Sequence, residues 1–212
     1  MTARGKFISL EGGEGAGKST LLAGLRACIE GQGISLVQTR EPGGTGVGEA
    51  VRAIVLDPAQ RGMAAETELL LMFASRAQLV REVIEPALAA GHWVLCDRYA
   101  DASHAYQGGG RGQPTERIAE LERWACKGLT PELTLLLDLP VATGRARAAG
   151  RGEADRIEAE ADAFFERVRA TYRERAEAEP RRFRVLDASQ SPAQVLQAAT
   201  LAVQNLLDEA QA

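Results

Sequence analysis

The sequence predicts an α/β fold in which a five-stranded parallel sheet is flanked by helices. Short, almost continuously apolar runs alternate with longer amphipathic stretches along the 212 residues. This alternation is typical of strands that are buried on both faces between covering helices. Apolar residues at 45% and charged residues at 25% match an ordinary globular protein rather than a disordered or fibrous one. We therefore expect a single domain over residues 1–212 with a sizeable core.

Five runs have the length and composition of buried strands. They are Lys6–Glu11, Ile34–Thr39, His92–Asp97, Leu133–Leu139 and Phe183–Asp187. Seven amphipathic stretches predict helices. They are Lys18–Glu30, Glu49–Leu56, Glu66–Ala90, Thr115–Cys126, Val141–Ala149, Ala159–Glu177 and Pro192–Asp208. Pro114, Pro140 and Pro192 stand where helices would begin, which suits the fixed φ of proline.

Three segments are predicted to lie outside these elements. Arg40–Gly48 and Gln107–Gly112 are rich in glycine, and each follows a predicted strand, so we interpret them as loops of the kind that carry function. Gly150–Glu158 is mostly charged and has almost nothing apolar to bury. We expect this segment, about residues 150–158, to form a short mobile lid.

Charge and composition exclude several classes of protein. A formal net charge of −4 argues against a broadly basic face for nucleic acid. No apolar run approaches the roughly 18 residues of a membrane span, and the first residues lack the apolar region of a signal peptide. Cys28, Cys96 and Cys126 are far apart and have no histidine at ligand spacing, so we expect reduced thiols. These features predict a cytoplasmic protein with neither membrane nor nucleic-acid partners.

A glycine-rich sequence follows the first predicted strand. Residues 12–19 read GGEGAGKS, which satisfies the P-loop pattern G-x-x-x-x-G-K-[ST] between a strand and a helix. Such a loop curls its N–H groups around the phosphates of a nucleotide, aided by the positive end of the helix. We expect Lys18 to reach the β- and γ-phosphates and Ser19 to ligate Mg²⁺. The predicted ATP-binding residues are Gly12, Gly13, Glu14, Gly15, Ala16, Gly17, Lys18, Ser19 and Thr20.

A P-loop alone does not identify a reaction, because switches, motors and small-molecule kinases share it. A GTPase would read guanine with an Asn-Lys-x-Asp motif, but Asn205, in the last predicted helix, is the only asparagine in the sequence. This argues against a G-protein and leaves a nucleotide-dependent switch as a remote alternative to a kinase.

Three predicted strands end in aspartate, so hydrophobicity alone does not choose the second group on the Mg²⁺ side. The candidates are Asp97, Asp138 and Asp187. Asp97 is favoured because Arg98 and then a glycine-rich segment follow it. Open α/β sheets bind their ligands at the carboxyl ends of strands, where this pair would lie.

The third predicted helix carries Phe73 one turn before Arg76, so both would lie on the same face. This arrangement suits a flat base, because the ring can stack on it while the guanidinium donates to a carbonyl edge. A core phenylalanine beside a surface arginine fits the same spacing. Spacing alone leaves both interpretations open.

Several segments together resemble the bacterial thymidylate kinase family. They are Phe7–Thr20, TREPGGT at 39–45, LMFASRAQ at 71–78, DRY at 97–99, AYQGGGR at 105–111 and DRIE at 155–158. They cover almost the whole length and are far more specific than the P-loop. The resemblance implies a homodimeric enzyme for dTTP synthesis that transfers the γ-phosphoryl group of ATP to dTMP with Mg²⁺. Another P-loop nucleotide or deoxynucleoside kinase is the nearest alternative.

The resemblance also implies how dTMP is held. Phe73 would stack on thymine and Arg76 would bond its carbonyl, with Ser103 and Gln107 near the base and sugar. The remaining implied substrate contacts are Arg98 and Arg40 to the dTMP phosphate, and Glu11 and Glu158 toward the sugar 3′-hydroxyl.

Catalysis is expected to rest on charge neutralisation. The variable positions of the P-loop, Gly13 to Ala16, carry no basic residue, so a lid arginine is expected to meet the charge of the transition state. Arg145, Arg147, Arg151 and Arg156 lie on or beside the lid, and Arg151 is preferred. The implied catalytic set is Lys18, Asp97, Arg98 and Arg151, with Ser19 and Asp97 on the metal side.

Overall fold

The computed structural model describes residues 4–149 and 154–211, the last three of these by backbone alone. Five strands form one sheet. They are β1 (Phe7–Gly12), β2 (Leu36–Arg40), β3 (Trp93–Asp97), β4 (Leu133–Asp138) and β5 (Phe183–Asp187). Their spatial order is β2-β3-β1-β4-β5, and every neighbouring pair is parallel. The predicted α/β class and five-stranded parallel sheet are confirmed, and β1 lies at the centre, where the strand order reverses and ligand crevices form.

Helices cover both faces of the sheet. They are α1 (Lys18–Gly31), α2 (Gly46–Leu56), α3 (Ala65–Leu79), α4 (Glu85–Ala89), α5 (Ala100–Ser103), α6 (Thr115–Cys126), α7 (Val141–Ala148), α8 (Asp162–Ala178) and α9 (Pro192–Gln211). A wide π-helical turn, Val80–Ile84, joins α3 to α4. The predicted helix over 66–90 therefore corresponds to three consecutive helical segments, which are α3, the π-helical turn and α4.

The core has a layer on each side of the sheet. On one side, Leu25 of α1 and Val203 of α9 pack in a cluster with Ile8 of β1. On the other side, Phe7 of β1 packs with Leu88 of α4. Successive residues of β1 face opposite layers of the core. Both faces of this strand are therefore buried, which explains why all of its residues are buried.

The predicted loop at Gln107–Gly112 is wrong over most of its length. The chain continues from α5 into a π-helical segment, His104–Gly110. A β-carbon on Gly109 would lie 2.2 Å from Thr171 Oγ1, and one on Gly110 would lie 2.4 Å from the Phe164 ring. The glycines therefore serve the close approach of this segment to α8, where the sequence suggested a turn.

The start of α2 also differs from its prediction. The helix begins at Gly46, three residues before the predicted start, because the Thr45 hydroxyl caps it by accepting from Gly48 N at 2.9 Å. The glycine-rich segment after β2 is shorter as a result.

Only part of the predicted lid can be compared with the structure, because residues 150–153 lie outside the described residues. The described end of the lid, residues 154–158, packs more closely than its charged sequence suggested. Arg156 is 7% exposed, and Ile157 packs against two apolar clusters. No helix in the described chain is long and apolar enough to cross a bilayer.

Candidate active site

The glycine-rich loop forms a tight turn between β1 and α1. Gly15 and Gly17 have φ angles of 69° and 93°, which side chains rarely adopt. A β-carbon on Gly15 would also lie 2.0 Å from Gly144 O. Lys18 begins α1, and its ammonium donates to the carbonyls of Gly12 and Gly13 at 3.3 and 3.2 Å. Burial, together with the charge of a neighbouring arginine, lowers the Lys18 pKa to about 8.

Arg98 follows β3 directly and lies beside the same loop. Its φ of 70° is left-handed, a strained conformation for a residue with a side chain. Its Nη1 donates to Gly12 O at 2.7 Å, and its guanidinium lies 4.8 Å from the centre of the Tyr106 ring. The P-loop lysine and Arg98 therefore converge on one carbonyl at the centre of the sheet.

Glu11, the last side chain before the P-loop, is fully buried. Its two oxygens accept from Tyr99 N at 2.7 Å and from the Tyr172 hydroxyl at 2.8 Å. Burial first, then the nearby charge of Asp101, raises the pKa of Glu11 to about 8. The structure thus places Glu11 within a hydrogen-bonded pocket, and its approach to the sugar 3′-hydroxyl stays a prediction.

A cavity of ≈ 240 Å³ opens beside these groups. Its charged lining residues include the cations Lys18, Arg40, Arg52 and Arg98 and the carboxylates Glu14, Glu41, Asp97, Asp155 and Glu158. The apolar and aromatic residues of its lining are Pro42, Leu56, Ala102, Tyr106, Ile157 and Phe165. A cavity that combines four cationic groups with apolar and aromatic side chains suits a phosphate attached to a flat organic ring.

Arg52 was not assigned a role from the sequence. It lies on α2, donates to Pro42 O at 3.0 Å and lines the cavity. Burial and the charge of Arg40 lower the pKa of Arg52. Arg40 itself pairs with Glu49 at 3.0 Å and is largely exposed. The apolar periodicity of α2 predicts only that the helix has a buried face. It does not show that Arg52, the arginine of this helix, turns toward the site.

The predicted metal-side residues both line this cavity. Asp97 Oδ1 is buried and has no hydrogen-bond partner among the described residues, and Ser19 is in the first turn of α1. No group of three or more His, Cys, Asp or Glu side chains in the described chain is arranged to hold a metal. Mg²⁺ in kinases commonly uses one or two protein groups plus phosphates and waters, so these residues fit it.

Beside Glu41, which lines the cavity, lies the fully buried Arg76. Its Nε donates to Glu41 at 2.7 Å, its Nη1 to the Ser103 hydroxyl at 2.9 Å and its Nη2 to Tyr99 O at 3.0 Å. The structure therefore brings the predicted base contacts Arg76 and Ser103 together. Burial raises the pKa of Glu41, even though the charge of Arg76 opposes this.

Phe73 is not among the residues that line the cavity, although its ring lies 4.6 Å from the Arg76 guanidinium. It is 2% exposed and packs in a cluster with Ile118 of α6. The neighbouring Met72 instead packs with Leu56 and Ile157, both of which line the cavity. The structure does not bring Phe73 to the cavity, and stacking of its ring on a base stays a prediction.

Three of the four arginines on or beside the lid bond to the protein itself. Arg145 donates to two carbonyls at the end of the lid, at 3.1 and 3.0 Å, and Arg147 to a carbonyl just beyond β5 at 2.8 Å. Arg156 donates to Glu68 at 2.6 Å. Arg151 lies outside the described residues.

A second cavity, of ≈ 340 Å³, lies on the opposite side of the P-loop. It is lined by P-loop residues that include Gly15 and Thr20, and by Arg147, Ala188 and Gln190. Ala188 and Gln190 were not singled out from the sequence, because the segment after β5 carries no recognisable motif, whereas Arg147 was one of the arginines beside the lid. The P-loop therefore lies between two cavities.

Comparison with known proteins agrees with this geometry. Residues 10–199 match the family described as Thymidylate kinase. The thymidylate kinase of Pseudomonas syringae pv. tomato is 57% identical over 191 residues, covering 90% of this chain and 91% of that protein. Those of Alkalilimnicola ehrlichii and Pseudomonas entomophila are 57% and 53% identical, covering 92% and 96% of this chain and 90% and 97% of theirs. The chain belongs to the thymidylate kinase family.

Proposed function

We propose that this protein transfers the γ-phosphoryl group of ATP to dTMP, giving ADP and dTDP for dTTP synthesis. The observation that carries this proposal is the position of the P-loop between two cavities, with Lys18 and Arg98 meeting at Gly12. Two nucleotides bound from opposite sides would meet end to end at these cations. Other P-loop kinases and switch proteins are less favoured because the match extends far beyond the P-loop.

ATP is assigned to the cavity beside Arg147. Its phosphates would follow the P-loop N–H groups toward Lys18, as phosphates do at a helix N-terminus. The base would lie toward Ala188 and Gln190, where Arg147 is held by a carbonyl. A guanidinium in this position can stack on a purine ring.

dTMP is assigned to the cavity that Arg98 borders. Its phosphate would lie against Arg98, Arg40 and Arg52, and its base would extend toward Arg76 and Gln107. Leu56, Met72 and Ile157 would form the apolar wall on that side. Glu158, which also lines the cavity, stays a candidate for the sugar.

The reaction requires charge neutralisation more than proton removal. A phosphomonoester has its second pKa near 6, so at neutral pH it attacks as a dianion without a strong base. Lys18 and Arg98 would offset the repulsion between the two anions and stabilise the loose transition state. An approaching phosphate would favour the charged form of Lys18, whose pKa is lowered in the protein alone.

Mg²⁺, held by Ser19 and Asp97, would neutralise the β- and γ-phosphates when bound. The proposed role of Arg151 is to complete the cationic environment, since the other three lid arginines have protein partners. An Arg151→Ala variant should lose about 100-fold in kcat while its thermal unfolding stays unchanged. Unchanged kcat would exclude this assignment. The homodimer and the cytoplasmic location implied by the resemblance stay predictions.

The deciding experiment is an acceptor panel. The purified protein, with ATP and Mg²⁺, is supplied separately with dTMP, dUMP, dCMP, dGMP, AMP and thymidine, and both ADP and the phosphorylated product are quantified. We expect dTMP to be the best acceptor, with dUMP about 10- to 200-fold lower in kcat/KM because it lacks one methyl group. Failure to form dTDP from dTMP would refute the proposal, and a preference for thymidine would indicate a nucleoside kinase.

A further inference from the structure

Two rows of side chains face each other next to residues that line the cavity assigned to dTMP. Glu68, Met72 and Arg76 are spaced four residues apart along α3, so they lie on one face. Opposite them, Ser103 and Gln107 are also four residues apart. Arg76 bonds Ser103 at 2.9 Å and Glu68 bonds Gln107 at 2.9 Å. Two polar pairs therefore bracket the methionine that packs against the cavity wall.

Glu68 is a buried acceptor shared by three segments of the chain. It is 1% exposed and accepts from Gln107, from Arg111 at 3.1 Å and from Arg156 at 2.6 Å. Burial alone would raise the pKa of Glu68, but these hydrogen bonds and the two positive charges together lower it below its usual value. Glu68 is therefore ionised near neutral pH and can only accept hydrogen bonds.

An acceptor-only neighbour fixes the orientation of the Gln107 amide. The NH₂ end must face Glu68, because an oxygen placed there would meet a carboxylate with no proton to share. The Oε1 end is left buried with no partner among the described residues. A buried acceptor without a partner is costly, so a substrate N–H that reaches it would be favoured.

We propose that Glu68 is a positioning residue that sets base selectivity by holding Gln107 with its carbonyl oxygen toward the base. This inference rests on the proposed function. Thymine and uracil carry a hydrogen on N3 and would donate it to Gln107 Oε1. Cytosine has a lone pair at N3, which would face that oxygen and be repelled. The same pyrimidine pocket would then reject dCMP without any steric difference between the bases.

The test compares dTMP with 5-methyl-dCMP, because these acceptors share the 5-methyl group and differ only at N3, which Gln107 would read, and in the oxygen or amino group on C4. In a Glu68→Gln variant the partner amide can donate or accept, so Gln107 can adopt both orientations. We expect the ratio of kcat/KM for dTMP over that for 5-methyl-dCMP to fall by roughly tenfold or more, about the worth of one hydrogen bond. The ratio for dTMP over dUMP should stay unchanged, because the methyl contact is untouched.

A matched control is Glu160→Gln. It removes the other carboxylate that pairs with Arg111 but leaves the Glu68–Gln107 bond in place. We expect its dTMP to 5-methyl-dCMP ratio to equal that of the unaltered protein. Should Glu68→Gln fold poorly, Glu68→Asp keeps the charge that Arg111 and Arg156 need while withdrawing the carboxylate from Gln107, and the same fall is expected.

The proposal is overturned if a folded Glu68 variant lowers the rates for dTMP and 5-methyl-dCMP by the same factor, since this is the result of a purely structural role. An equal change of the ratio in Glu160→Gln would overturn it as well. Failure of the proposed function gives a different result, because the unaltered protein would then form no dTDP. Thermal unfolding of each variant checks that the compared samples are folded.

Discussion

The P-loop side and the dTMP side of this site are built in different ways. The P-loop side is one contiguous segment, 12–20, whose shape depends on glycines and whose ligand contacts would come largely from backbone N–H groups. The dTMP side draws on α2, α3, the π-helical segment and the lid, with partners as far apart as Glu68 and Arg156, 88 residues apart. The P-loop side is a local property of the sequence, whereas the dTMP side forms only when distant segments come together on folding.

This difference predicts different responses to mutation. A change in the P-loop removes a cation or a loop shape that any nucleotide donor requires, so turnover should collapse. A change in the dTMP-side network alters how side chains are held, so it should change affinity and selectivity more than the chemical step. The four predictions below test this contrast, beginning with the largest effect.

Lys18→Ala should lower kcat by about 1000-fold, because the charge that offsets two approaching phosphates is lost at the reaction centre. The KM for dTMP should change little, since Lys18 extends from the P-loop. Steady-state ADP formation measures both parameters. Lys127→Gln removes a lysine charge at an exposed site after α6 and should leave both unchanged. An equal loss in both variants would contradict the local role of Lys18.

Arg98→Ala should lower kcat/KM for dTMP by about 100-fold and weaken dTMP binding, while ATP binding is retained. The physical reason is that Arg98 lines the cavity assigned to dTMP and is held there by Gly12 and Tyr106. Calorimetric titration with each nucleotide separates the two affinities. Arg123→Ala, an exposed change on α6, is the control. Weakened ATP binding with normal dTMP affinity would reverse our assignment of the cavities.

The same contrast explains how much the sequence revealed. The five strands and the P-loop were predictable because strand burial and glycine spacing are local patterns. The helical form of His104–Gly110 was not, because its glycines look like turn formers until α8 packs against them. Arg52 and Glu68 also escaped notice, since an arginine beside an apolar face and a helix glutamate are ordinarily solvent-exposed. Their partners are distant in sequence, so no spacing indicates them.

Glu11 directly precedes the P-loop, and its raised pKa predicts how the stability of the protein depends on pH. Its pKa is about 8 in the folded protein and 4.5 ordinarily, so between these values the folded state retains a proton that the unfolded state has lost. The free energy of unfolding should therefore fall as pH rises through this window, by up to about 1.4 kcal/mol per pH unit. Glu11→Gln imitates the protonated acid and should remove this contribution. Urea unfolding of the unaltered protein and of Glu11→Gln from pH 5 to pH 8 measures this contribution. If the free energies of unfolding of the two proteins changed in parallel with pH, the prediction would be contradicted.

The smallest expected effects concern two adjacent residues of α3. Met72 packs with cavity-lining Leu56 and Ile157, whereas Phe73 packs toward Ile118 on α6. Met72→Ala should raise the KM for dTMP by roughly 5- to 10-fold, because truncation removes apolar contact from the base end of the cavity. Phe73→Leu should leave this KM within about twofold and mainly lower stability, by about 1 kcal/mol, through loss of ring packing.

Steady-state kinetics with dTMP and urea unfolding of each variant measure the two effects, and Leu70→Ala serves as the control because Leu70 is 57% exposed on the same helix. The opposite result, a raised KM in Phe73→Leu and none in Met72→Ala, would mean that the base stacks on the phenylalanine as the family resemblance implies. Such a result would place the base next to the Phe73 ring, which lies 4.6 Å from the Arg76 guanidinium in the protein alone. The base end of the dTMP side would then use Phe73 together with Arg76, two residues one turn apart on α3.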